Sequence, residues 1–94
     1  MFKNISLEQA FNLIKQDSSI IIIDIRDKAD FQKRHIKNAT NLSIYELEKI
    51  KKIAPSFEST ILVYCYSGIR SIAAAEKLLE LGYINVYNVK KGYR

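Results

Sequence analysis

An α/β fold, with a central and mainly parallel β-sheet flanked by helices on both faces, is predicted by three observations. Two nearly continuous apolar, β-branched runs, Ile20–Ile25 and Thr60–Tyr64, have the composition of strands buried on both faces. Segments with apolar residues at helical spacing stand before, between and after these runs. Strand and helix signals therefore alternate along the chain, and parallel strands joined by helical crossovers satisfy that order. The 94 residues suffice for one such domain, spanning 1–94, and are too few for two.

The elements follow in order. Ser6-Leu7-Glu8-Gln9 is a capping box, and Leu7, Ala10, Phe11 and Ile14 give the helix it starts an apolar stripe to about Gln16. Asp17-Ser18-Ser19 breaks that helix before the first strand run. Asp27–Arg34 is mostly charged and reads as a short exposed helix or turn, with a short strand near Ala39–Leu42 after it. Ser43-Ile44-Tyr45-Glu46 is a second capping box, opening a helix with Ile44, Leu47, Ile50 and Ile53 inward and Pro55 at its exit. After Thr60–Tyr64 comes a loop, Cys65–Arg70. Ser71 is placed to cap the next helix, whose inward residues are read as Ile72, Ala75, Leu78 and Leu79. Gly82 stands where a helix C-terminus wants it, and Asn85–Val89 is the last strand.

Hydrophobic residues make up 48% and charged residues 27% of the chain, which is the balance of a folded domain and not of a disordered one. Lys and Arg number 15 against 10 Asp and Glu, so the net charge of +5 favours anionic ligands, although most of these lysines are expected simply to keep the surface solvated. The basic residues are spread out, with no nucleic-acid motif or aromatic–basic interleaving, so nucleic acid is not an expected partner. The chain has 1 cysteine, which rules out an internal disulfide or a Cys-x-x-Cys pair and suits a reducing compartment. The N-terminal residues lack the pattern of a signal peptide, and the apolar run Ile20–Ile23 is stopped by Asp24. No membrane association is expected, and the cytoplasm is the expected location.

In sheets of this kind ligands bind beyond the C-terminal strand ends, here Asp24-Ile25-Arg26 and the Cys65–Arg70 loop. A single cysteine after an apolar run is ordinarily a small buried hydrophobe. Here it is followed by Tyr66, Ser67, Gly68, Ile69 and Arg70 and then a helix start. Backbone N–H groups at a helix start lack helical partners, and a tight loop turns them inward as an anion nest. With the helix dipole, such a nest stabilises a thiolate, while Arg70 adds a permanent cation.

The loop Cys65-Tyr66-Ser67-Gly68-Ile69-Arg70-Ser71 resembles the active-site signature of the rhodanese family. Asp24-Ile25-Arg26 is similar to that family's early Asp-x-Arg, Phe31 through His35-Ile36-Lys37-Asn38-Ala39 to its Phe-x-x-Gly-His-Ile-x-x-Ala segment, and Leu81–Val89 to its helix exit and last strand. The likeness runs in order from about Leu7 to Tyr93. Arg34 and Asn38 stand where the family usually has glycine, Tyr66 where many members have a basic residue, Ile69 where many have Asn, and Lys91-Gly92 in place of Gly-Gly.

The resemblance implies a thiosulfate sulfurtransferase-like enzyme with a rhodanese-like domain. Cys65 would be the catalytic nucleophile and sulfur carrier, and Tyr66, Ser67, Gly68, Ile69 and Arg70 would bind substrate. Asp24, Arg26, His35 and Ser71 would be supporting groups, with Asp24 and Arg26 pairing charges and His35 bonding to nearby backbone. The donor would be a small sulfur-containing anion, thiosulfate or a persulfide. The acceptor would be cyanide, a thiol, or a thioredoxin-like or other sulfur-acceptor protein. No metal or organic cofactor is needed for this chemistry. Tyr66 in place of a cation predicts weaker use of thiosulfate and better use of an organic or protein persulfide. Two other readings stay open at this level. A non-catalytic rhodanese-like interaction module would keep the scaffold alone. A small phosphatase or arsenate reductase shares the thiolate–arginine loop, but only four residues separate Cys65 from Arg70, a tight fit for a tetrahedral oxyanion.

Overall fold

Local signals start the first layer. Ser6 Oγ accepts the Gln9 N–H at 3.0 Å and Gln9 Oε1 accepts the Ser6 N–H at 2.9 Å, closing the capping box that begins α1 (Leu7–Gln16). The computed structural model describes all residues, Met1–Arg94. Around α1 it places β1 (Lys3–Ile5), β2 (Ile21–Asp24), α2 (Lys28–Lys33) and β3 (Thr40–Asn41). A 3-10 helix (Ile44–Lys49) runs into α3 (Ile50–Ile53), and β4 (Thr60–Tyr64), α4 (Arg70–Glu80) and β5 (Asn85–Val89) complete the chain.

The five strands form one sheet in the order β1-β5-β4-β2-β3, and every pairing is parallel. The crossover from β2 to β3 runs towards one edge and that from β4 to β5 towards the other. The switch point therefore lies between β2 and β4, which puts Asp24 opposite Tyr64. The Ile25 N–H donates to Tyr64 O at 3.0 Å just beyond the ladder, so the two segments singled out in the sequence are neighbours.

Both sheet faces are covered, by different sets of residues. Ile23, Ile61, Val63, Cys65 and Val86 pack with Leu47, Ile50, Ala74, Ala75 and Leu78 on one side. Ile22, Leu62, Tyr64 and Val89 pack with Ala10 and Ile36 on the other, with Leu7, Leu13 and Ile14 of α1 against them. Alternation along β4 and into the loop thus fixes the Cys65 side chain on the α4 face.

Four details differ from the sequence expectations. β1 was not predicted, because three residues are too few to show alternation; it is held by pairing with β5. The helix after Ser43 is mostly 3-10: Ile44, Leu47 and Ile50 recur every third residue, the 3-10 period, and Ile53 is half-exposed. In α1, Phe11 is exposed, and Leu13 joins the expected Leu7, Ala10 and Ile14 on the inward face. In α4 the buried residues are Ser71, Ala74, Ala75 and Leu78, while Ile72 turns outward, because contacts of Ser71 set the rotation of the helix.

Gly82 follows α4 with φ +112°, as a helix C-terminus requires. Asn38 has φ +71°, a left-handed conformation that Asn tolerates better than most residues, which explains its standing where the resembled segment has glycine.

Candidate active site

Cys65 directly follows β4, on the α4 face, and is 1% exposed. Its Sγ accepts the Gly68 N–H at 3.1 Å and the Ser71 N–H at 3.3 Å. Ser71 is not the helix cap. Ile69 holds that position without a side-chain bond, α4 begins at Arg70, and Ser71 lies buried inside the first turn. The sulfur does the capping instead, because it satisfies an N–H that α4 leaves without a helical acceptor. The Ser71 hydroxyl donates to Asn88 Oδ1 on β5.

These contacts set the state of the thiol. Burial alone pushes the Cys65 pKa up, but the hydrogen bonds that Ser71 and Gly68 supply to the sulfur outweigh it, and the net shift is downward. The Ile69 N–H turns aside to Ser67 Oγ at 3.4 Å.

Gly68 permits the tight loop. Its φ is +89°, and an added Cβ would lie 2.1 Å from Lys90 O, so only glycine lets the loop close onto the end of β5. The following segment closes over the loop from the other side. The Tyr93 N–H donates to Cys65 O at 2.9 Å, and Arg94 Nε reaches Tyr66 O at 3.4 Å. The Arg94 guanidinium lies 4.9 Å from the Tyr66 ring centroid, which brings a cation to the loop although Tyr66 itself carries none. Tyr66 and Ile69 are exposed at the mouth.

Arg70 sits at the loop's end with its side chain 61% exposed, 3.7 Å from Asp27 Oδ1. It borders a cleft of about 300 Å³, shared with Ile25, Lys28, Ile44 and Tyr45. The cation is held at the end of the sulfur loop by a loose surface pair that contributes little to holding it in place.

Asp24 and Arg26 form a buried ion pair at 2.8 Å beneath the site. Arg26 also donates to Arg34 O at 2.6 Å, and Asn41 Nδ2 donates to the carbonyls of Asp24 and Arg26. The Arg26 guanidinium lies 5.6 Å from the Tyr64 ring centroid and 5.2 Å from that of Tyr93. This cluster fixes the ends of β2 and β4 and the segment that closes over Cys65 O. His35 is exposed, stacks on Phe31 with ring centroids 3.8 Å apart, and bonds through Nδ1 to Phe31 O at 2.8 Å. Phe31 O only accepts, so Nδ1 carries the proton. His35 therefore belongs to the α2 exit.

Sequence reasoning singled out Asp24, Arg26 and the Cys65–Ser71 loop, and the fold brings all of them to one end of the sheet. It missed Asn41, Asn88, Tyr93 and Arg94. Only Asn88 carried a signal: it is a polar residue on the strand face of the buried Val86.

The model of the rhodanese-like domain matches residues 6–94. The chain belongs to the rhodanese family. The thiosulfate sulfurtransferase GlpE of Coxiella burnetii is 39% identical over 93 residues, covering 99% of this chain and 85% of the relative. GlpE of Haemophilus influenzae is 36% identical, covering 98% and 85%. A solved rhodanese with anions from E. coli superposes with a TM-score of 0.72 at 35% identity, covering 76% of this chain and 85% of that one. This rhodanese-like chain is accordingly a sulfurtransferase-type enzyme. None of its helices is long and apolar enough to cross a membrane.

Proposed function

We propose that this domain transfers a sulfane sulfur through a persulfide on Cys65. The observation that carries the reading is the convergence of the Gly68 and Ser71 N–H groups on the Cys65 sulfur at the start of α4. Fixed donors of this kind stabilise a thiolate and, after sulfur is gained, the anionic outer sulfur of a persulfide.

In the first step the Cys65 thiolate attacks the outer sulfur of thiosulfate, or of another sulfane donor. The bond from that sulfur to the sulfonate group breaks, its electron pair leaves with sulfite, and Cys65 becomes a persulfide. In the second step cyanide or a thiolate attacks the outer sulfur. The Cys65 S–S bond breaks, and the electron pair returns to the Cys65 thiolate. No general base is required, because the loop already favours the thiolate; His35, bonded to Phe31 O, stays outside the chemistry. Arg70, exchanging Asp27 for the donor's charged end, orients the anion at the end of the loop. Exposed Tyr66 and Ile69 make the mouth less cationic and more apolar, which favours organic or protein-borne persulfides and thiols, including a thioredoxin-like acceptor. A chemistry that needs a free thiolate fits the reducing cytoplasm.

The test is thiocyanate formation from thiosulfate and cyanide by the wild type and by Cys65→Ser. Turnover in the wild type that is absent from the variant is expected. Equal turnover in both would refute a Cys65 carrier.

A further inference from the structure

Both N–H groups that donate to the Cys65 sulfur belong to residues held by one other side chain. Asn88 lies in β5 and is fully buried. Its Nδ2 donates to Gly68 O at 3.2 Å and to Asn4 Oδ1 at 2.9 Å, and its Oδ1 accepts the Ser71 hydroxyl. The Gly68 carbonyl only accepts, so the NH2 end of the amide must face it and the oxygen end must face Ser71. The surroundings thus fix the orientation of the amide, with partners from β1, the loop and α4.

A buried amide is costly unless each of its polar groups is paired, and no buried side-chain polar atom of this protein lacks a partner. Asn88 therefore ties the loop and α4 to β5 and, through Asn4, to the edge strand β1. Hydrogen bonds weaken steeply with misalignment, so the strength of the two sulfur bonds depends on how firmly Gly68 and Ser71 are held.

We propose that Asn88 is a positioning residue for the Cys65 sulfur, clamping through one amide the two residues, Gly68 and Ser71, whose N–H groups hold that sulfur. The proposal rests on Cys65 as the reacting group, but its test reads the protonation of the sulfur and not sulfur transfer. Cys65 is the sole cysteine, so alkylation by iodoacetamide followed against pH reports this group alone. Removing Asn88 also frees the Ser71 hydroxyl to turn its proton onto the sulfur, which would offset the loss. The comparison is therefore made in a Ser71→Ala background, which keeps the Ser71 N–H but removes the hydroxyl that Asn88 Oδ1 holds, so it reads the Gly68 arm of the clamp, without which the proposal fails. The charged groups around the loop are left in place: Asp24 and Arg26 at the end of β2, Asp27 and Arg70 at the mouth, Lys90 after β5, and Arg94 beside Tyr66.

In that background Asn88→Ala is expected to raise the alkylation midpoint by about half a pH unit, which is about threefold slower reaction on the acid side. The plateau rate and the circular dichroism spectrum should be unchanged. A folded variant whose midpoint is unmoved or lower overturns the proposal. Should Asn88→Ala not fold, Asn4→Ala on the edge strand β1 takes its place, removing the side chain that holds the amide from behind. It is expected to raise the midpoint by a smaller amount, about twofold in rate, and an unmoved midpoint there overturns the proposal equally. A shifted midpoint in variants of a protein without sulfur transfer would count against the proposed function and leave the role of Asn88 standing.

Discussion

A single sulfur atom is subject to two opposed effects in this fold. Burial favours the neutral thiol of Cys65, the hydrogen bonds from Ser71 and Gly68 favour the thiolate, and the latter win. The rate of sulfur uptake should therefore rise with pH through a Cys65 pKa below the ordinary thiol range and be flat above it. A kcat/KM profile from stopped-flow uptake checks this, and an acid limb at or above the free-thiol range would contradict it. The linked effect on stability follows from the same sign. The folded-state pKa lies below the unfolded one, so the thiolate's contribution is complete above the unfolded value and is lost as pH falls through the folded value. Tyr66 gives a second prediction at this scale. Tyr66→Arg adds a cation to an exposed mouth, and the thiosulfate KM should fall about two- to fivefold, the worth of one exposed charge pair. An unchanged or higher KM would show that Tyr66 does not weaken thiosulfate binding. Some of the site's residues were legible in the sequence and some were not. Cys65, Gly68 and Arg70 were, because a helix-start loop demands those types at that spacing. Ser71 was legible as a participant and misread as a cap, because nothing in the sequence says that the sulfur occupies the cap's place. Asn88 was not singled out, since an Asn in a strand ordinarily marks an edge, and only the tertiary partners Asn4, Gly68 and Ser71 make it a buried clamp.

At the scale of elements, the site depends on how the ends of β2 and β4 are held together. The Asp24–Arg26 pair is almost wholly buried, with side chains 0% and 3% exposed, and Arg26 also binds Arg34 O. Arg26→Leu leaves Asp24 buried without its cation, and a loss of about 3–5 kcal/mol in chemical denaturation is expected. The double variant Asp24→Leu/Arg26→Leu should recover part of that loss, because no lone charge remains. Additive losses would mean that the two residues act independently. The same contrast explains which elements could be read in advance. β4 and β5 are strands with the bounds their apolar patterns predicted, and α1 follows from its capping box. β1 exists only because β5 offers it a partner, and the 3-10 period of Ile44, Leu47 and Ile50 is compatible with an α-helical stripe over so short a span.

For the molecule as a whole, the sheet order is what brings distant segments together. The switch between β2 and β4 sets Asp24 beside Tyr64, and β5 passes beneath the loop that follows β4. The net charge of +5 gives the molecule as a whole a field that attracts anions. The kcat/KM for thiosulfate should fall about two- to threefold as ionic strength rises from about 0.01 to about 0.15 M, over which the Debye length shrinks from about 30 to about 8 Å. The kcat should not change. A salt-independent kcat/KM would confine the electrostatics to the loop N–H groups and Arg70.

The most direct measurement is the intact mass of the protein after exposure to thiosulfate and removal of excess reagent. A gain of one sulfur atom is expected, mapped to Cys65, absent from Cys65→Ser, and lost on addition of cyanide with one equivalent of thiocyanate formed. Sulfur transfer with no such adduct at any stage, or an adduct that cyanide does not discharge, would contradict a Cys65 persulfide as the carrier.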